Sequence, residues 1–335
     1  MGITVYSRDF SLREILGNTR FRAAWIEFFF VAEYFLPRVR ILQPRCLLII
    51  DTVDVHYARL HSKWLISRDP NDLKQAEEMK NRELAIYRKT DLLVMITEDD
   101  REVLRADGIE VPCCLITNIH DMVHVESGTT NQHSLVFVGG FAHEPNTDAV
   151  LYFCREVFPL IRGKIPEATF TVIGSNPPEA VLGLQSDSVR VTGYVPSTTP
   201  YLLESHISVA PLRFGAGMKG KIGEAMAHGL PVVTTSVGAS GMNLSNRKNA
   251  MIADTAEDFA EAVVELLRNQ DLHERIRKSA LDHVRKNFST SRVEEDLLQV
   301  LRSLDGISRN PMRLFEKVSF LMDYFRARGR ARPRS

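Results

Sequence analysis

From Ser134 onward the chain repeats one pattern: a short apolar run, a turn, then a helical stretch. The runs are SLVFVGG from 134, TFTVIGS from 169, VRVTGYV from 189, ISVAPL from 207 and PVVTT from 231, with NAMIAD from 249 as a further one. Between them lie helical patterns from Pro145-Asn146 to about Gly163, around Tyr201–Glu204, and from Ile222 to about Gly229. Two more close the region, at about 257–268 and 272–287. Strand–helix alternation of this kind predicts a doubly wound α/β domain.

The first third follows the same logic less regularly. Leu47–Ile50 and Leu92–Ile96 read as buried strands, and Leu115-Ile116 closes a shorter one. Asn71 to Lys89 reads as a long polar helix. Thr97 opens another helix as N-cap, with Asp100 three residues on, so Glu98-Asp99-Asp100 reads as capping rather than as a metal site. The stretch AAWIEFFFVAEYFL, Ala23 to Leu36, is too short to span a bilayer and reads as a buried helix, with an interfacial helix as the weaker alternative. Residues 117–133 lack periodicity and read as an interdomain linker. The predicted division is 1–125, 126–290 and a C-terminal helix and basic tail at 291–335.

Composition excludes other classes. Apolar residues are 44% and charged residues 25%, the balance of a globular protein. Lys plus Arg and Asp plus Glu are 42 each, so no global field favours nucleic acid. The balance hides a contrast, because Gly306–Ser335 carries eight basic and two acidic residues. Its stretch MRLFEKVSFLMDYFRAR is amphipathic, which suits either an anionic membrane surface or packing back on the protein. Cys46, Cys113, Cys114 and Cys154 show no C-x-x-C spacing and read as buried free thiols. The start MGITVYSRDFSLRE lacks an apolar signal core, and the expected location is cytoplasmic, at most peripheral to the plasma membrane.

In open α/β sheets ligands bind beyond the carboxyl ends of the strands. Three loops there read as built for one. The segment from Arg213 through Gly215, Gly217, Lys219, Gly220 and Lys221 combines exposed amides, a helix start and three cations, which suits a diphosphate. Its spacing approaches a Walker A loop, but Ile222 stands where that motif needs a hydroxyl, so a P-loop nucleotidase is the weaker alternative. Glu224, one turn later, is placed either to accept from a ribose diol or to stabilise the helix dipole. Gly139-Gly140 follows the first strand of the domain without the G-x-G-x-x-G spacing of a dinucleotide site. His143 is a candidate substrate contact, and His228 reads as structural. In the first domain Asp51, Asp54 and His56 cluster at a strand end, where a base or an acceptor-orienting group would sit.

These segments resemble a known family. FVGGFAHEPNTDAV, VRVTGYVPS, APLRFGAGMKGKIGEAMAHGLPVVTT and GASGM are similar to the C-terminal half of bacterial glycosyltransferase family 4, the group 1 glycosyltransferases, and DTVDVHYAR and ITNIH to N-terminal segments of one subset. The resemblance implies a GT-B fold, two Rossmann-like domains facing a cleft, the N-terminal one incomplete here. It implies transfer of a sugar from a nucleotide-diphosphate sugar to a glycan or lipid-linked acceptor in surface polysaccharide synthesis. Transfer would be retaining, without metal or other cofactor. By position, Glu224 corresponds to the ribose-binding glutamate and Lys221 to a lysine near the phosphates. Gly139, Gly140 and the Gly215–Gly220 loop would lie at the phosphates, and Tyr194-Val195 at the base. Asp54 and His56 would face the transferred sugar. Two departures stand out: Ala216 replaces a family glutamate, and Phe141-Ala142-His143 replaces a basic pair for which Arg213 and Lys219 would compensate. A donor-domain scaffold without catalysis is the alternative from another class.

Overall fold

The computed structural model describes residues 11–123 and 132–307. The basic amphipathic tail lies outside the described residues apart from its first two positions. The chain clusters into two units. One holds Met1–Tyr57, Glu77–Ile116 and Leu297–Ser335, the other Ala58–Ala76 and Thr117–Asp296.

The first stretch of chain runs α1 (Leu12–Asn18), β1 (Ala23–Glu27), α2 (Phe29–Leu42), β2 (Leu47–Asp51), α3 (His56–Ser67), α4 (Pro70–Tyr87), β3 (Leu92–Met95), α5 (Glu98–Ala106) and β4 (Cys113–Leu115). The four strands form one parallel sheet in the order β1-β2-β3-β4. One expectation is corrected here: Ala23–Leu36 is not a single helix. Its first five residues pair with Leu47–Asp51 as an edge strand, and Phe28 ends that strand with φ of 64° before the helix begins. A 14-residue apolar run carries no period strong enough to separate a strand-plus-helix from a helix. Thr97 caps α5 as predicted. Its hydroxyl accepts from the Asp100 amide at 3.0 Å and donates to the Asp100 carboxylate at 2.6 Å.

The second stretch runs β5 (Ser134–Val138), α6 (Glu144–Tyr152), a wide five-residue helical turn (Phe153–Val157), α7 (Phe158–Lys164), β6 (Thr169–Ile173), α8 (Glu179–Leu182), β7 (Val189–Gly193), α9 (Thr199–Glu204) and β8 (Ile207–Ala210). It continues through α10 (Gly220–Ala227), β9 (Val232–Thr234), α11 (Ser236–Ala239), β10 (Met251–Ile252), α12 (Ala256–Arg268), α13 (Gln270–Asn287) and α14 (Thr290–Ser303). The predicted helix from Pro145 to Gly163 is thus present, widened at Phe153–Val157. Pro159 follows directly, and a proline without an N–H is accommodated where the regular ladder opens. Six parallel strands form the sheet β10-β9-β8-β5-β6-β7. Its central strands β5, β8 and β9 are largely apolar because both faces are covered. Leu135 and Phe137 enter one core cluster with Phe153, Phe170 and Phe259, while Val136 enters the other with Ile222, Met226 and Val284.

The cysteines are free thiols, and burial pushes Cys114 and Cys154 up to about 12, which keeps them protonated. Among the described residues no helix is long and apolar enough to cross a membrane.

Candidate functional site

The strand order of the six-stranded sheet reverses between β5 and β8, since the chain winds outward from β5 in one direction through β6 and β7, then in the other through β9 and β10. Diverging connections leave a crevice at such a switch point, beyond the carboxyl ends of the strands. The loops that leave β5 and β8 are the Gly139-Gly140 loop and the Arg213–Lys219 loop.

The first is held by close approach. The Gly139 amide donates to Ile173 O at 2.8 Å, and a Cβ at Gly139 would lie 2.8 Å from Asn146 Cγ. Asn146, in the first turn of α6, is 4% exposed. Its Nδ2 donates to Gly140 O at 2.7 Å, and its Oδ1 accepts from Lys221 Nζ at 2.5 Å. His143, which precedes α6, is exposed.

The second loop turns through Gly217 at φ of 65°, a conformation that favours glycine. Lys219 is buried and its ammonium donates to Gly217 O at 2.6 Å, while the Gly215 amide donates to Ser62 Oγ at 3.3 Å. Gly220 then opens α10, whose first amides carry the positive end of the helix. Lys221 lies 5.0 Å over the ring of Phe137, and burial, reinforced by the Lys219 charge, pushes it down to about 7. Ile222 is fully buried and presents no polar group, so the loop departs from a Walker A site in chemistry as well as in sequence. The Glu224 carboxylate accepts from the Thr198 hydroxyl. His228 is buried, with Nδ1 against Glu224 O at 2.7 Å and Nε2 against Thr199 Oγ1 at 3.0 Å.

Two sequence-selected residues stand differently. Arg213 grips Asp148 of α6 through both Nε and Nη2 and lies 4.9 Å over the Tyr152 ring, so its charge is answered within the protein. Tyr194 follows β7 directly, is 75% exposed, and precedes the half-buried Val195. Sequence reasoning did not single out Asn146, Asp148 or Thr198. Asn146 carried a signal, since it follows Pro145 at a helix start beside a glycine pair.

In the first unit, β1 and β2 are followed by residues with positive φ, Phe28 at 64° directly after β1 and Val53 at 60° two residues past β2. Backbone strain of this kind is retained where surrounding structure fixes it. His56 sits there, with ring centroids of Phe29, Phe30 and Phe28 at 5.2, 5.8 and 6.1 Å. Its Nδ1 lies 2.9 Å from Asp54 Oδ1 and 3.4 Å from Glu83 Oε1. Burial opposes the imidazolium charge, but the bonds to Asp54 and Glu83 outweigh it and raise His56 to about 9. At neutral pH the ring is therefore a cation and a donor, not a free base. Asp51 is set apart from this group: it accepts from the Val53 amide at 3.1 Å, and burial raises its carboxyl.

Glu83, which sequence reasoning did not select, is fully buried and organises this corner. It accepts from the amides of His56 at 3.1 Å and Tyr57 at 2.8 Å, and from the Tyr87 hydroxyl at 3.0 Å. It lies on the face of α4 that carries the buried Leu84 and Tyr87. The apolar run Leu84-Ala85-Ile86-Tyr87 directly after it is the one signal that could have found it, and the polar character of the rest of α4 masks that signal.

Comparison with known proteins agrees with this architecture. Residues 132–269 match the family described as glycosyl transferases group 1. An uncharacterized 44.6 kDa protein in the cps region of Klebsiella pneumoniae is 21% identical over 173 residues, which is 48% of this chain and 44% of that protein. Spore coat protein SA of Bacillus subtilis (strain 168) is 35% identical over 80 residues, 23% of this chain and 21% of that protein. The chain therefore spans less than half the length of either curated relative. Sucrose-phosphate synthase from Thermosynechococcus elongatus superposes with a TM-score of 0.69 at 14% identity, covering 85% of this chain and 74% of that one. A mutant of S. aureus TarM in complex with fondaparinux, alpha-GlcNAc-glycerol and UDP gives 0.63 at 17% identity, with 77% and 51% covered. HepE of Anabaena in complex with UDP-glucose gives 0.65 at 13% identity, with 84% and 79% covered. Residues 132–269 are thus similar to the group 1 glycosyltransferases, and the two parallel α/β units have the fold of the GT-B class.

Proposed function

We propose that the second unit binds a nucleotide-diphosphate sugar in the crevice between β5 and β8, and that the chain transfers the sugar to a glycan or lipid-linked acceptor. The observation that carries this reading is the meeting of the two switch-point loops, with Gly139-Gly140 joined through Asn146 to Lys221 at the start of α10. TarM bound to UDP and HepE bound to UDP-glucose support a donor of this class.

In this reading the amides of Gly140, Gly217 and Gly220 and the side chain of Lys221 hold the diphosphate, while Gly139 and Gly215, whose amides are taken by Ile173 O and Ser62 Oγ, shape the two loops beside it. Charge builds on that group as the bond to the sugar breaks, and fixed donors stabilise it without reorganising. This set of donors supports transfer without a metal. Glu224, steadied by Thr198, accepts from the ribose hydroxyls, and the backbone at Tyr194-Val195 reads the base. Lys219 shapes the loop from beneath. Asp54 and His56 act on the acceptor side, with the imidazolium as a donor. Retention of configuration and a role in surface polysaccharide synthesis complete the proposal.

Titration with UDP-, GDP- and dTDP-sugars tests it. One of the three binds, and Glu224→Ala weakens that binding by about tenfold or more, the loss expected for a hydrogen bond to a charged group. Binding by none of them, or an unchanged affinity in the variant, contradicts the donor site.

The basic segment 306–335 is read as a peripheral contact with anionic membrane, where lipid-linked acceptors lie. Co-sedimentation with phosphatidylserine vesicles should drop when 306–335 is deleted. Equal co-sedimentation with and without the segment removes this reading.

A further inference from the structure

The contacts of Lys221 are unusual for a residue meant to meet a diphosphate. Its ammonium lies over Phe137, a fully buried ring, and its hydrogen-bond partner is a neutral amide oxygen, not a carboxylate. The acids of the two helices that carry Asn146 and Lys221 have other partners. Asp148 of α6 is held by the Arg213 fork, Glu144 of α6 pairs with Lys63 at 3.0 Å, and Glu224 of α10 accepts from Thr198. Strand β5 offers only the apolar ring. Lys219, from the same loop, adds a like charge.

Asn146 completes the arrangement. One amide orientation satisfies both of its contacts, with Nδ2 toward the Gly140 carbonyl and Oδ1 toward Lys221. An aspartate in its place would fix the lysine charge permanently and then compete with an incoming phosphate. A neutral amide aims the amine without supplying the opposite charge.

We infer that Asn146 is a positioning residue of the diphosphate site, holding Lys221 as an amine that gains its proton together with the incoming diphosphate. This rests on the donor-site reading above. Burial and Lys219 lower the free lysine to about 7, and a bound dianion raises it again. The sign follows. Below pH 7 the lysine is already charged and binding moves no proton. Above pH 7 each binding event draws one from solvent, so affinity falls as pH rises.

Calorimetric titration of the full chain with UDP and GDP reads this directly. At pH 8, in two buffers of different ionisation enthalpy, binding takes up about 0.9 proton, the share of a group with a pKa near 7 that is neutral at that pH. Affinity falls about eightfold to tenfold between pH 7.5 and 8.5, where phosphate ionisation (pKa near 6) is complete. Lys221→Arg, charged at every pH, binds with neither proton uptake nor this slope. In Asn146→Asp the carboxylate keeps the lysine protonated, and uptake falls toward zero. If the side chain at 146 did not hold Lys221 in solution, a carboxylate there would not reach the amine, and that variant would weaken binding equally at all pH and leave the uptake intact. Wild-type binding with no uptake and flat affinity overturns the inference while sparing the donor site. Failure of both UDP and GDP to bind overturns the donor-site reading and this inference with it.

Discussion

Glu83→Ala is expected to destabilise the first unit by about 3–5 kcal/mol, the cost of removing one partner from a buried charged network. The carboxylate accepts from two backbone amides and a hydroxyl and lies beside the His56 ring, all with no exposure of its own. Its removal leaves those donors unpaired in the interior. Chemical denaturation followed by Trp25 fluorescence in a Trp64→Phe background measures the loss, and a change below about 1 kcal/mol contradicts it. The same network sets a pH dependence. His56 titrates at about 9 in the folded chain against its ordinary 6.5. Its contribution is therefore complete below pH 6.5 and is lost as pH rises through 9. In Asp54→Asn, which removes one of the two carboxylates, the alkaline loss is smaller.

Gly174→Ala is the second large effect. An added Cβ would lie 2.0 Å from Gly139 O and 2.8 Å from Gly139 C, and both are backbone atoms. Either β6 or the Gly139-Gly140 loop must move. Overpacking of this kind costs about 1–3 kcal/mol, and more where backbone blocks relaxation. Because that loop is tied through Asn146 to Lys221, nucleotide-diphosphate affinity should fall together with stability. Gly163→Ala is the control. It lies in the last turn of α7 with open space around it, and should be neutral or stabilising by about 0.5–1 kcal/mol. Equal effects at both positions would show that crowding at Gly139 does not matter.

The second unit was legible because periodicity and burial agree there. A strand such as SLVFV is apolar at four successive positions only when both of its faces are covered, and the sheet shows that. The glycine loops were legible because glycine pairs at strand ends have few structural uses. The first unit was less so. Ala23–Glu27 and Phe29–Leu42 are both apolar, and the break between them rests on the backbone of Phe28, which leaves no mark in composition. The candidate site was legible as an inventory of charge but not as a wiring. Arg213 and Lys221 look alike in sequence. Asp148 neutralises one and Asn146 leaves the other's charge open, a difference that depends on which face of α6 each presents. Glu83 looked like one more surface acid in a polar helix.

The first unit draws on three separate stretches of chain, and Val300 and Leu304 complete its apolar cluster beside Leu47, Ile49, Leu92 and Val94. The stretches of the second unit all end by Asp296. On the ribosome, then, the unit translated first is finished last. Its sheet must wait, with that patch uncovered, until the segment after 296 has emerged, whereas the second unit already has every strand it needs.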